Sequence, residues 1–398
     1  MNRIVINELD TTTNVSSGNI NDVVYIPGFS IASLDAGTTS AKPRVPTLCN
    51  NLEQFYEYFG RDIPTFIAEQ AYPAAFSDAA RPESNIMFKA NDYDLSYAYA
   101  VQLLVQGLPV VYERVNMISD VDNPNYDVTA NAMYSYLSGT CFATDGNLAD
   151  KGLQIKYLTT GGYPSFEYDM PVGDEAVSPG SIAEYMVNLC ASRGDCVALI
   201  DHTNNAARPL TGVNSVFGVL NAKGHFAATD DKDTYAAMFT PWANYSVKQI
   251  YDMPVMQFPG SFAYLTSLAK SIKTNSNWLA IAGVARGKVS NITSLNTEDK
   301  LTNAIADGYQ FSDAESMYGI SLNAITYING YGYCIWGNRT LRQSSQSRVG
   351  TATGYLNLRN MVSDIKKLAF TSAQRLLFEQ NTDILWLTFK SYMTPLLS

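Results

Sequence analysis

Residues 96–115 pass from a helical to a strand period across one glycine, and this switch constrains the fold of the chain more than any other feature. Ser96 to Gln106 carries Tyr97, Val101, Leu104 and Val105 on one helical face, and Gly107 stops the helix. Pro109-Val110-Val111-Tyr112-Glu113-Arg114-Val115 then reads as a buried strand. A helix delivered straight into an apolar strand is an α/β unit, and similar units recur. Val23 to Ile26 is a strand ending at Pro27-Gly28, and Asn50 or Asn51 can cap a short helix from Leu52 to Phe59 that ends at Gly60. A helix near Ser181–Ala191 leads through Gly194-Asp195 into the strand Cys196–Ile200, and a helix over 262–273 precedes the apolar run Trp278–Ala285, read as another strand. Between them, 118–175 and 202–234 are rich in loop residues, with a short strand at Leu153–Leu158.

The last hundred residues predict a hairpin, with Ala324–Ile328 and Tyr333–Trp336 joined by Asn329-Gly330-Tyr331-Gly332. A long helix from Leu358 to Phe378 follows, with Met361, Ile365, Leu368-Ala369, Ser372-Ala373 and Leu376-Leu377 as its apolar stripe. A further amphipathic segment, Ile384–Met393, ends at Pro395. No internal repeat is present. The fold class is mixed α/β (α+β), and 398 residues with 46% hydrophobic content suffice for two or three domains.

The same residues exclude several functions. A net charge of -10 argues against a nucleic-acid partner, which would need a basic face to neutralise phosphates. The longest apolar run is far short of a membrane span, and MNRIVINELD carries no signal-peptide pattern, so synthesis in a cytoplasm is expected. Cysteines 49, 141, 190, 196 and 334 match no metal spacing and read as buried reduced thiols. Asp201-His202 follows a strand, the place where an α/β hydrolase would put catalytic groups, yet no Gly-x-Ser-x-Gly elbow accompanies it. Gly283 to Ser290 imitates a phosphate loop but has the wrong glycine spacing and no Ser/Thr after Lys288. Asp230, Asp231 and Asp233 lack the glycine and terminal Glu of a calcium loop. No cofactor or metal is expected. The 26 tyrosines against 2 histidines favour contact surfaces over acid–base chemistry.

Residues 1–22 alternate weakly at Ile4, Ile6 and Leu9, with Val5 as a further apolar residue of the segment, and then pass into a Thr/Ser/Asn/Gly linker. Two readings stay open, a disordered tail or an arm that adds a strand to another sheet.

Eight collinear phrases over 20–398 resemble the contractile bacteriophage tail sheath family. They run through Pro46–Gly60, Tyr97 to Val115 with its Gln106-Gly107-Leu108-Pro109-Val110 core, Arg193 to Asp201, and Tyr235 to Trp242. Pro259-Gly260-Ser261, Ala282 to Gly287, Asn323 to Leu341 and Phe378 to Phe389 continue the order. The most specific is Ile335-Trp336-Gly337-Asn338-Arg339-Thr340-Leu341; Phe378, Glu379 and Asn381 mark the last. The resemblance implies a core from 23–115 and 300–398, an inserted mixed α/β region at 116–299, and 1–22 as a strand-exchange arm and linker. It further implies hexameric rings of subunits around an inner tail tube, with baseplate and tail terminator proteins as further partners. The location it implies is a virion tail, and no residue receives a catalytic role. A sheath of an injection system or bacteriocin is the alternative, and a hydrolase using Asp201 and His202 the other. The family continues past the segment resembling Phe389–Leu397 into further strands and a C-terminal arm, so such an arm is expected to be missing at Ser398.

Overall fold

A computed structural model describes residues 22–31, 44–61, 94–118, 136–162, 182–201, 231–247, 255–273, 278–295, 322–342, 352–374 and 376–397. Ile4, Val5, Ile6, Leu9 and His202 lie outside them.

The backbone is organised by one eight-stranded mixed sheet. Its strands are β1 (Val24–Ile31), β2 (Thr47–Cys49), β3 (Val110–Ile118), β4 (Tyr157–Leu158), β5 (Val197–Ile200), β6 (Ala236–Thr240), and, beyond a smaller sheet, β10 (Leu322–Ile328) and β11 (Gly332–Trp336). The order is β2-β3-β1-β4-β5-β6-β10-β11. The six central strands are parallel, and β2 and β11 close the ends antiparallel. Central parallel strands are covered on both faces, and β5 and β6 accordingly are buried at every position. The smaller three-stranded sheet pairs β7 (Ala243–Ser246) with β8 (Val255–Phe258) and β9 (Ile292–Leu295).

The sheet draws strands from residues 24–118, 157–240 and 322–336. The sequence boundaries at 115 and 300 are therefore not boundaries of this sheet, because β4, β5 and β6 fill its middle.

Helix α1 (Leu52–Phe59) is capped by Asn51, whose side chain accepts from Gln54 N at 2.9 Å, and Gly60 terminates it at φ 87°. Helix α2 (Leu95–Gln106) starts at Asp94 and ends at left-handed Gly107. It is buried on nearly every side rather than on one stripe, since sheet, α1 and α4 (Gly260–Ile272) all pack on it. Helix α3 (Ile182–Arg193) feeds β5 as expected. The hairpin β10–β11 forms with Ala324 opposite Trp336 and Ile328 opposite Gly332. All five cysteines are buried and unbridged.

The run Trp278–Ala285 is not a strand. Trp278 takes φ 68°, and Gly283–Arg286 is a single helical turn, α5. Side chains from elsewhere hold it there: Asn357 Nδ2 donates to Trp278 O at 3.1 Å, and Trp278 Nε1 donates to Asp364 at 2.8 Å. Short apolar runs do not separate strand from turn by periodicity alone. The phosphate-loop imitation is likewise an edge cover: Ile335 N donates to Gly287 O at 2.8 Å and Val289 N to Tyr333 O at 2.9 Å, along the outer side of β11. Of Leu153–Leu158 only Tyr157–Leu158 pairs, because the carbonyls of Leu153 and Ile155 are taken by Arg193 and Lys367.

The C-terminal helices are α6 (Leu356–Gln374) and α7 (Asp383–Leu397), joined by a turn at 376–378. Helix α6 thus ends four residues earlier than the sequence suggests, and α7 runs through Pro395, which removes one amide donor in its last turn.

Candidate assembly surfaces

Helix α6 is packed with its polar side inward. Its buried residues are Leu356, Arg359, Asn360, Ser363, Asp364 and Lys367, a regular helical stripe with one apolar member. Each long polar group meets a partner on the sheet side. Asn360 Nδ2 donates to the hydroxyls of Tyr157 and Tyr264, both at 3.0 Å, and the Arg359 guanidinium lies 4.0 Å from the Tyr235 ring centroid. Asp364 accepts from Lys156 Nζ at 2.9 Å, and Lys156 also pairs with Asp22.

The Asp22–Lys156–Asp364 triad is buried throughout. Burial acts to lower the Lys156 pKa, but the two carboxylates outweigh it and raise it above the ordinary lysine value. Burial likewise raises Asp364, against the pull of Lys156. The triad fastens the point where residues 1–21 join the body to the sheet and to α6. A buried pair of this kind is a positional device more than a source of net stability.

With its polar stripe consumed, α6 turns Met361, Ile365 and Leu368 to half-buried positions, and Phe370 and Leu377 are exposed. Helix α7 packs beside α6 and buries only Met393 among its described side chains. Ile384 is 74% exposed, Leu387 65% and Trp386 64%. Phe378, in the α6–α7 turn, is fully exposed. Apolar side chains grouped this way mark an interaction face rather than scattered surface residues.

The sequence-selected residues fall in two places. Phe378, Glu379 and Asn381 all sit exposed in the α6–α7 connection, where Asn381 Oδ1 accepts from Trp386 Nε1 at 3.0 Å. Trp336, Gly337, Arg339 and Thr340 leave the end of β11 and form a backbone latch. Asn323 on β10 is its pivot: its Nδ2 donates to Arg339 O at 2.8 Å and to Met238 O at 3.1 Å, and its Oδ1 accepts from Arg339 N at 2.7 Å. A Cβ on Gly337 would lie 2.7 Å from Asn323 Oδ1. Thr340 is buried and its N–H donates to Gly354 O at 3.0 Å, while Arg339 lies over Tyr355 at 4.5 Å and Trp336 is 43% exposed. Sequence reading met Asn323 only as the first residue of a sheath-like phrase, with no role, and did not single out the polar stripe of α6. The i, i+4 spacing of Asn360, Asp364 and the neighbouring Arg359, Ser363 and Lys367 was the available signal.

Asp201 is fully buried at the end of β5 and caps α4, accepting from Ser261 N at 3.3 Å and Ser261 Oγ at 2.7 Å. Burial pushes its pKa up from 3.8 to about 7, against the two Ser261 hydrogen bonds. Ser261 Oγ is also within 2.9 Å of the Tyr99 hydroxyl, and Ser261 itself is fully buried. Between pH 3.8 and about 7 the folded protein holds a proton on Asp201 that the unfolded chain has released, so this group's contribution to stability falls as pH rises. Relative to Asp201→Asn, the wild type is expected to lose about 1.4 kcal/mol per pH unit across that window. Urea midpoints at several pH values measure this, and parallel curves for the two proteins would refute it.

Among the described residues no cluster of His, Cys, Asp or Glu could hold a metal ion, and no helix is long and apolar enough to cross a membrane.

No protein-family model matches the chain, and no curated protein matches it in sequence. Its fold matches solved structures. One is a chain of the anti-feeding prophage baseplate in contracted state, at TM-score 0.54 and 17% identity, covering 98% of this chain and 82% of that one. Others are a chain of the sheath complex, in contracted state, of the extracellular contractile injection system PVC, at 0.47 and 15%, covering 99% and 79%. A sheath tail protein from Desulfitobacterium hafniense scores 0.44 at 9%, covering 95% and 86%. The mixed α/β body is therefore the fold of a chain of that contracted baseplate.

Proposed function

We propose that this chain is the structural subunit of a contractile tail sheath, which polymerises around an inner tube and shortens to drive the tube through a cell envelope. One observation carries the reading: α6 turns its polar stripe into its own body, and the α6–α7 turn and α7 leave their large apolar side chains exposed. An isolated molecule gains nothing from that inversion, whereas a lattice of copies buries Phe378, Ile384, Trp386 and Leu387 between subunits. The fold shared with a chain of a contracted baseplate supports it, as do the collinear sheath-like phrases of the sequence. Residues 1–22 act as the strand-adding arm, leaving the body at the buried Asp22 anchor. The partners are neighbouring copies, the tube, baseplate and terminator proteins, and the place is the tail of a phage, or of a related injection system or bacteriocin.

Contraction needs no bound fuel on this reading, since an extended lattice of higher free energy relaxes as each subunit gains contacts. Negative-stain microscopy of the concentrated full chain, alone and with preformed tubes of its inner-tube partner, is the test. Striated hollow cylinders are expected; separate single particles under both conditions would overturn the proposal.

A further inference from the structure

A cavity of about 360 Å³ opens between the C-terminal end of α3, the turn at 151–154 and the middle of α6. Its wall is cationic in a chain whose net charge is -10. Lys151 and Lys366 stand exposed at the cavity, and Lys367 is buried in its wall. The carboxylate there, Asp195, is already committed: both of its oxygens accept from Arg193, at 2.9 and 3.1 Å. The remaining Arg193 donors go to the carbonyls of Leu148, Asp150 and Leu153. Arg193 thus frames the cavity and has nothing left to offer a ligand.

Lys367 is different. Its Nζ donates to Ile155 O, and no carboxylate of the described residues lies within 4 Å of it. An ammonium has three donors, and a buried charge is ordinarily paired. Burial pushes its pKa below the usual lysine value, against the opposing pull of Asp195 and Asp364. Lys366 is held over Tyr235, its Nζ 3.0 Å from the hydroxyl, so it is pre-positioned beside the opening. Exposed Phe370 adds an apolar contact at the rim.

We propose that this cavity receives a carboxylate side chain from an acidic segment of a neighbouring copy of the chain. The occupant follows from charge: each copy carries 37 acidic against 27 basic residues, and a cavity with a cationic wall complements that excess. The identity of the occupant as a neighbour rests on the sheath reading; the anion specificity of the cavity does not.

The test uses the full chain and Lys151→Glu/Lys366→Glu, whose two sites are exposed, so that an unchanged thermal midpoint certifies folding. Calorimetric titration with a tetraglutamate peptide should show binding to wild type that weakens with salt. Binding should be about tenfold or more weaker in the double variant, through loss of two charge-assisted contacts. Absent binding, or equal binding by both proteins, overturns the site. In parallel, the peptide should slow assembly of the wild type, and the double variant should assemble poorly. Unimpaired assembly with peptide bound would overturn the neighbour as occupant. A wild type that binds peptide but never assembles would do the same and would refute the sheath reading, leaving the anion site standing.

Discussion

Lys156→Ala is expected to destabilise the folded chain by about 3–5 kcal/mol, the cost of removing one member of a buried charged group. Lys156 is the single cation between Asp22 and Asp364 in the described structure, and all three are buried. Without it two carboxylates face each other out of water. Trp278 Nε1, at 2.8 Å, is the indole donor that still serves Asp364, and a neutral donor does not balance two negative charges. The loss should shrink as pH falls, because Asp364, whose pKa burial already raises, can then take up a proton in the folded variant and the repulsion disappears. The fully neutral combination Asp22→Asn/Lys156→Met/Asp364→Asn should recover most of the stability, since replacing a whole buried ionic group is far milder than breaking it. Urea denaturation at pH 7 and pH 5 gives both numbers. A Lys156→Ala variant within about 1 kcal/mol of wild type would show that the triad is not a closed buried group.

The triad also explains where sequence reading stopped. Lys156, Trp278 and Asp364 are far apart along the chain, and nothing local about any of them announces a partner. Local signals were read well: the Gly107 switch, the Asn51 cap and the Asn329–Gly332 turn are each fixed by neighbours in sequence, through φ or through one short hydrogen bond. The stripe on α6 was legible as a helix and illegible in its orientation. Periodicity says that one side of a helix is apolar; it does not say which side the body will take. Here Asn360, Asp364 and Lys367 find partners on the sheet side, and the apolar stripe is displaced outward. Trp278–Ala285 failed for a related reason, since Asn357 and Asp364 pull Trp278 out of an extended path. In the run Trp336–Leu341 the sequence does not announce the work the structure shows: Gly337 and Thr340 serve a backbone latch whose pivot, Asn323, looks like any strand asparagine until the chain returns to it.

The exposed apolar side chains of α7 lead to the second large effect. Ile384→Asp/Trp386→Asp should leave the isolated protein as stable as wild type and abolish its assembly. Both side chains are mostly exposed, and exposed substitutions usually change stability by no more than about 0.5 kcal/mol. Once a neighbour covers them, each large apolar side chain contributes about 1.5–3 kcal/mol of burial. Two buried aspartates replace that gain with a desolvation penalty of similar or larger size. Association must also overcome lost rotational and translational freedom of at least about 4 kcal/mol, so a swing of this size at every contact leaves no lattice. Asn381, which holds the Trp386 indole at 3.0 Å, supplies an intermediate case. Asn381→Ala frees the ring without removing it, and should raise the concentration needed for assembly while still permitting it. Sedimentation of the full chain over a concentration series, beside thermal melts of the unassembled protein, separates the outcomes. Cylinders formed by the double aspartate variant would remove α7 from the lattice contact, and a depressed melting point would show that its face packs against its own subunit instead.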